Sequence, residues 1–501
     1  MQFVVLVAFA LVFMPVGTPP WPVITRTSLV IAVVAGQAAV ITVWALWATR
    51  RVLRELDRNP DHPGYAQTLH ARDGSILGGL LLAGLVAGMW GTNWPAVVRS
   101  EWRLERIYGL DEFVILLPSL VSLLLAWTAL FPADRAIRQL MMEQSLWDGR
   151  PARAAWNLRA YLVFLVRHQL LLVALPMMLI VIANDLAQEH VRALRRATRL
   201  FWADQAVVAA VAGVILFFSP VLLRYIWHTS TLPKGTLRDR LRVISERLGL
   251  RYRDILIWHS QGMVVNAAVM GVLPPVRYVL LSDGLLENLD DESIEAVFGH
   301  EAGHVRHLHI PFYLLFAIVS MLIVGGVHLL LFARPWLDRS YATPVTVAMI
   351  VAVWGLGFGW VSRRFERQAD LFGARAISPD AGGCVLPCRV HHARAEDPSS
   401  TAGEGTGSTR GTASMAAAGA LCATGAAAFG NALRRVARLN GIPEEGRSWR
   451  HSSIAGRIRF LEELAEDPGR IRRFGRVIAW TKAVLAAGTI IGLPLAVWLF
   501  I

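Results

Sequence analysis

The segment FGHEAGHVRH, residues 298–307, contains two histidines and a glutamate in the pattern H-E-x-x-H. On a helix, His300 and His304 stand one turn apart on one face, so both imidazoles can reach one tetrahedral Zn²⁺ at about 2.0–2.1 Å. Glu301 lies beside them, where a carboxylate can take a proton from an attacking water. A hydrolytic zinc site needs a third protein ligand and one position left open for water. The longer pattern H-E-x-x-H-x-x-G-x-x-H is excluded, because His307 stands where its glycine should be and Ile310 where its third histidine should be. A downstream glutamate must then serve, and Glu366 is the best placed by its position in the chain. Asp370, four residues on, shares its helix face and can hydrogen-bond a ligating imidazole. Spacing alone also allows E-R-Q-A-D to be the solvated start of a helix.

These residues need elements to hold them, and composition says what kind. The 501 residues are 54% hydrophobic and 17% charged, with a mean hydropathy of +0.45. That is too apolar for an ordinary soluble protein, so the chain reads as a polytopic membrane protein. Nine segments approach the roughly 20 apolar residues that a bilayer core of about 30 Å requires. They lie near residues 1–17, 27–47, 75–95, 112–131, 160–183, 205–227, 310–333, 343–362 and 478–501. The first ends in MPVGTPP and lacks a basic start; a retained span is expected there, with a cleaved signal as the alternative. The net charge of +13 comes from arginines clustered beside spans, which indicates topology and anionic lipid rather than nucleic acid.

Arginine placement also gives orientation. Arg50, Arg51, Arg54 and Arg58 follow the second span, and Arg135, Arg138, Arg150, Arg153 and Arg159 follow the fourth. Both loops are then cytoplasmic, and six spans before residue 230 put the polar block 231–309 on the same side. Arg192, Arg195, Arg196 and Arg199 run against this scheme. In the polar block, LPKGTLRDRLRVISERLGL has helical periodicity, and MVVNAAVM with VRYVLLS reads as a β-hairpin across a Gly and Pro-Pro turn. Asp290, Asp291 and Ser293 start a helix expected to run through the H-E-x-x-H into the seventh span.

The expected organisation is an N-terminal transmembrane bundle at 1–230, a first catalytic part at 231–309, a membrane hairpin at 310–362, a second catalytic part at 363–476 and a last span at 477–501. The stretch 379–420 is rich in Gly, Ser, Thr and Ala with no apolar period, so disorder is expected there. The fold class is mainly α, with a small hairpin or sheet in the catalytic part.

The run NAAVMG, then VLLSDGLLENLDDESIEAVFGHEAGH, then two spans, FERQADLFGA and HSSIAGRI resembles a known family. It is similar to the gluzincin-type membrane zinc metallopeptidases that include the type-one CAAX prenyl endopeptidases and the HtpX-like heat-shock proteases. The resemblance covers residues 235–378 and 425–464. It implies that His300, His304 and Glu366 ligate one zinc, that Glu301 is the base and that Asp370 supports a ligand. It also implies that the strand around Asn266 and Ala267 pairs with substrate backbone, and that His451 and Arg457 line the active site. The family usually has proline after the histidine matching His451, where this chain has Ser452, and its connection at 379–420 is usually far shorter.

The function expected is a cytoplasm-facing, zinc-dependent endopeptidase, in the inner membrane if the source is bacterial, cutting membrane-associated, misfolded or lipidated proteins bound in extended form. A receptor or transporter with a structural or sensory metal site is the alternative. Weaker signals remain. Cys384, Cys388, His391 and His392 could form a second metal cluster but lie in low-complexity sequence, and three cysteines make no disulfide framework. Arg167 and His168 enter the fifth span, where snorkelling is the simpler account. His307 and His309 are expected at the lipid boundary. Tryptophans such as Trp44, Trp47, Trp90 and Trp94 fit an interfacial belt.

Overall fold

The computed structural model describes residues 2–13, 23–60, 64–147, 157–198, 203–262, 264–332, 341–378, 385–386, 421–446 and 448–500. The chain divides into two compact units, Met1–His228 and Thr229–Ile501.

The N-terminal unit is mainly helical, with an isolated bridge between Ile24 and Thr92. Its main helices are α1 (Gln2–Phe13), α2 (Thr27–Arg58), α3 (Gly64–Val86), α4 (Leu110–Trp147), α5 (Leu158–Leu165), α6 (Leu171–Thr198) and α7 (Ala203–Ile226). The arginine-rich ATRRVLRELDR continues α2 as helix. There Val52 and Leu56 pack with Ala66 of α3 and with Ala133 and Ile137 of α4. Eight helical segments among the described residues are long and apolar enough to cross a bilayer. Of the ninth expected span, at 1–17, the described residues form the 12-residue α1, about 18 Å long, and residues 14–17 lie outside the described residues.

Two further expectations are corrected here. Trp90 and Trp94 are buried rather than turned toward an interface, and Trp94 Nε1 donates to the Ile115 carbonyl at 3.3 Å. Arg167 is exposed, as snorkelling requires, but His168 is not. It sits in a π-helical turn, Val166–Leu170, with Nδ1 2.7 Å from the Phe164 carbonyl and its ring stacked on Phe164 at 4.2 Å.

The C-terminal unit carries a four-stranded sheet: β1 (Thr229–Thr231), β2 (Asp254–Trp258), β3 (Ala267–Met270) and β4 (Tyr278–Ser282), in the order β1-β2-β4-β3. The expected hairpin is present, with Ala267 opposite Leu281 and Met270 opposite Tyr278. Gly271 makes its turn possible at φ +96, where a side chain would also strike the Val276 carbonyl. The parallel pairing of β2 with β4 was not foreseen, because DILIW is too short a run to declare itself. β4 is buried along all five residues, so the sheet is anchored at its centre and β3 stands at an edge.

The helices of this unit are α8 (Thr236–Leu248), α9 (Asp283–Asn288), α10 (Asp291–Arg306), α11 (His309–Phe332), α12 (Ala342–Ala352), α13 (Gly359–Ala376), α14 (Ala423–Leu439), α15 (Ile454–Glu466) and α16 (Pro468–Phe500). One core joins Leu241 and Ile244 of α8, Val279 and Leu281 of β4, and Phe298 of α10. A second core places Phe429 and Ala432 of α14 against Leu371 of α13 and Leu461 of α15. The stretch 379–420 and its Cys384, Cys388, His391 and His392 lie outside the described residues, apart from Val385 and Leu386.

The helix carrying H-E-x-x-H does not run on into the next span. It stops at His307, Leu308 takes a left-handed φ of +57, and α11 restarts at His309. A leucine in that conformation costs about 1–2 kcal/mol. The break is supported by Lys482 of α16, whose Nζ donates to the His307 carbonyl at 2.6 Å.

Candidate metal centre

Asp290 starts the site by capping α10, accepting from the Ser293 N–H at 2.8 Å. From there the helix runs past α13 at close range, which only small residues permit. A Cβ on Gly303 would stand 3.0 Å from Ala369 Cα, and one on Gly373 would stand 2.9 Å from the His300 nitrogen. This close crossing brings the ligand candidates of both helices together.

His304 Nε2 lies 3.2 Å from His300 Nε2, and Glu366 presents Oε2 3.7 Å from His300 Nε2 and Oε1 3.7 Å from His304 Nε2. Tetrahedral ligands at about 2.1 Å from one ion stand about 3.4 Å from each other, so this spacing fits a single small cation. Among the described residues this trio is the one group of three His, Cys, Asp or Glu side chains with metal-ligand spacing.

Behind the donors are their supports. His300 Nδ1 is 2.9 Å from Asp370 Oδ1, and Asp370 is completely buried. Arg457 of α15 holds that carboxylate with two bonds, Nε to Oδ2 at 2.8 Å and a second guanidinium nitrogen to Oδ1 at 2.5 Å. The same guanidinium lies 3.9 Å from Glu366 Oε2. Burial works against the Arg457 cation, but Asp370 and Glu366 more than offset it and raise its pKa. His304 is held neutral: burial, then the neighbouring His300, lowers its pKa to about 3. Neutral imidazole is the form that ligates.

Glu301 points toward the sheet and accepts from the Val269 N–H at 3.2 Å. Burial pushes its carboxyl up to about 7. Val269 belongs to edge strand β3, so the base candidate and the open strand edge are neighbours. Alternation along β3 sorts its main chain. Asn266 accepts from the Ser282 N–H with its carbonyl and donates its own N–H to the Ser282 side-chain Oγ, at 3.0 Å each, which turns its main chain inward. Ala267 and Val269 therefore face outward, which corrects the pairing expected of Asn266. Asn440, just past α14, pins the start of the strand by bonding both the N–H and the carbonyl of Val265, at 3.3 and 2.8 Å.

His451 also reaches the site. Its Nδ1 is 3.0 Å from Glu366 Oε2 and its side chain is 44% exposed. Its loop is anchored to the π-helical turn Val353–Phe358, where Trp449 Nε1 donates to the Gly355 carbonyl at 2.5 Å. Ser452 adopts φ +66, which proline cannot, so the departure from the expected proline changes the backbone as well as the side chain.

The site also holds residues that the sequence reading placed elsewhere or passed over. His309 is fully buried, not at a lipid boundary. Its Nδ1 is 2.9 Å from His304 Nδ1, and its Nε2 is 2.9 Å from Gln368 Oε1. The signal was present as the second histidine after the motif, but a continuous helix would have pointed it away from His304. Only the break at Leu308 turns it back.

Residues 232–385 match peptidase family M48. The M48 match contains H-E-x-x-H, Glu366 and Asp370, while His451 and Arg457 fall beyond it. The chain is 30% identical over 197 residues to a protease HtpX homolog of Archaeoglobus fulgidus, covering 36% of this chain and 57% of that protein. It is 26% identical over 190 residues to a CAAX prenyl protease 1 homolog of Arabidopsis thaliana, covering 35% and 44%. The crystal structure of Ste24p from S. mikatae superposes with a TM-score of 0.44 at 12% identity, over 86% of this chain and 98% of that one. The chain thus spans about half the length of the curated relatives it matches. The resemblance first seen in FGHEAGH and FERQADLFGA is borne out.

Proposed function

We propose that the C-terminal unit is a zinc-dependent endopeptidase built into a multi-pass membrane protein, with its centre facing the cytoplasm. The observation that carries this reading is the convergence of His300, His304 and Glu366 at the spacing of a tetrahedral ion, with Glu301 next to the edge of β3.

Zinc, when bound by those three side chains, would polarise the scissile carbonyl and make water acidic enough to react near neutral pH. Glu301 takes the proton from the attacking water and passes it to the leaving amine. Its raised pKa suits both transfers. Ala267 offers an outward N–H and carbonyl to an extended peptide, which selects for conformation more than for side chains. Membrane-associated, misfolded or lipidated proteins are the substrates such a site would accept. His451 donates to the oxyanion, since its exposed ring stands at the mouth of the donor set.

The test is Glu301→Gln in the purified full chain. The variant keeps its zinc, because Glu301 is not a ligand, and loses cleavage of an unfolded β-casein-like protein. Equal cleavage by both forms rejects this mechanism. A chain that binds zinc but cleaves no peptide in either form favours a receptor or transporter with a sensory metal.

A further inference from the structure

His309 is the buried polar group for which the catalytic reading has no use. Its ring lies parallel to Phe365, 4.4 Å away at an interplanar angle of 5°, and each of its nitrogens faces one polar atom. Nδ1 faces His304 Nδ1 and Nε2 faces Gln368 Oε1, both at 2.9 Å.

Two neutral imidazoles meeting nitrogen to nitrogen at this distance share one hydrogen, for two lone pairs repel and two N–H groups collide. His304 turns Nε2 toward His300 and Glu366. For that nitrogen to offer a lone pair to a metal, the neutral ring must carry its hydrogen on Nδ1. His309 Nδ1 must then be bare, which puts the His309 hydrogen on Nε2. Gln368 meets it with its amide oxygen, which only accepts. The opposite arrangement is equally self-consistent. If the amide nitrogen faced His309, every hydrogen would shift along and His304 Nε2 would be protonated, unable to ligate. The amide of Gln368 thus decides between a metal-competent and a metal-incompetent His304.

We propose that His309 and Gln368 are positioning residues: His309 accepts the Nδ1 hydrogen of His304, Gln368 accepts that of His309, and together they hold His304 in the tautomer that binds metal. The inference rests on the metal-centre reading above. It gives the two histidine ligands different supports. His300 leans on a charged pair, Asp370 with Arg457, whereas His304 leans on a neutral chain that adds no buried charge where α11 begins.

The test uses the full chain in detergent, loaded with zinc and dialysed against graded chelator, with cobalt substitution as a second readout. His309→Phe keeps a ring against Phe365 but cannot accept a hydrogen bond. It is expected to weaken zinc retention about 10–100-fold and to change the visible cobalt spectrum. His309→Asn, whose carbonyl oxygen can accept, restores part of the loss. Gln368→Glu, which still accepts, stays close to the parent, while Gln368→Lys, which can only donate, weakens binding. Rescue by the accepting variants separates this role from mere packing. If the parent binds zinc and His309→Phe binds it equally with the same cobalt spectrum, the inference is overturned and the metal centre stands. If the parent itself binds no zinc, the metal-centre reading falls and takes this inference with it.

Discussion

Each residue at the centre answers to a partner behind it. Arg457 and Asp370 are both buried and bonded twice, so removing one leaves the other as an uncompensated charge. Arg457→Ala is expected to destabilise the C-terminal unit by about 3–5 kcal/mol. A thermal melt unchanged from the parent's would sink that account. Glu301 makes a prediction about pH. Burial raises its carboxyl from 4.5 to about 7, so the folded chain keeps this proton after the unfolded chain has lost it. Its contribution to stability is therefore greatest below the unfolded value and is lost as pH rises through about 7. Melts of the metal-free protein from pH 4.5 to 7.5 should show this decline, and Glu301→Gln should remove it. At this scale H-E-x-x-H could be read from spacing, because one helical turn imposes it, whereas spacing left Glu366 and Asp370 open and the family resemblance singled them out. The partnership of His304 with His309 could not, since it depends on a left-handed leucine.

At the scale of elements, the site is a crossing of α10 and α13 closed to contact by glycine. Gly373→Ala would put a methyl 2.9 Å from the His300 nitrogen and 2.6 Å from Phe429. Overpacking of this kind costs about 1–3 kcal/mol and here pushes the imidazoles away from Glu366. Zinc affinity is expected to fall about tenfold or more with it, and titration against a chelator checks this. At the other end of α10, Asp290→Ala removes the cap and should cost about 1 kcal/mol, while Asp290→Asn, which still accepts from Ser293, should cost less. The hairpin and most helices followed from local periodicity. The partner of β4 did not, because β2 is distant in sequence and its burial comes from the sheet itself.

At the scale of the whole molecule, the chain divides at His228, and the three ligand candidates all belong to the second unit. Zinc at about 100 times its dissociation constant should stabilise that unit by about 2.7 kcal/mol. Chelator is expected to lower a melting transition accordingly, and a melt that ignores zinc argues against the centre. Orientation has its own check: a reporter fused at residue 405 should read cytoplasmic, and an external signal would reverse the topology argued from Arg50, Arg51, Arg54 and Arg58.

By itself, the sequence determined the membrane character, the H-E-x-x-H pattern and the order in which the candidate ligands and their candidate supports arrive, because hydropathy and helical spacing are local properties. Tertiary structure decided the rest. It set which glycines let two helices touch, which strand edge lies open beside Glu301, and how a broken helix turns His309 back onto His304. Those outcomes depend on contacts between residues far apart in the chain, and no local pattern encodes them.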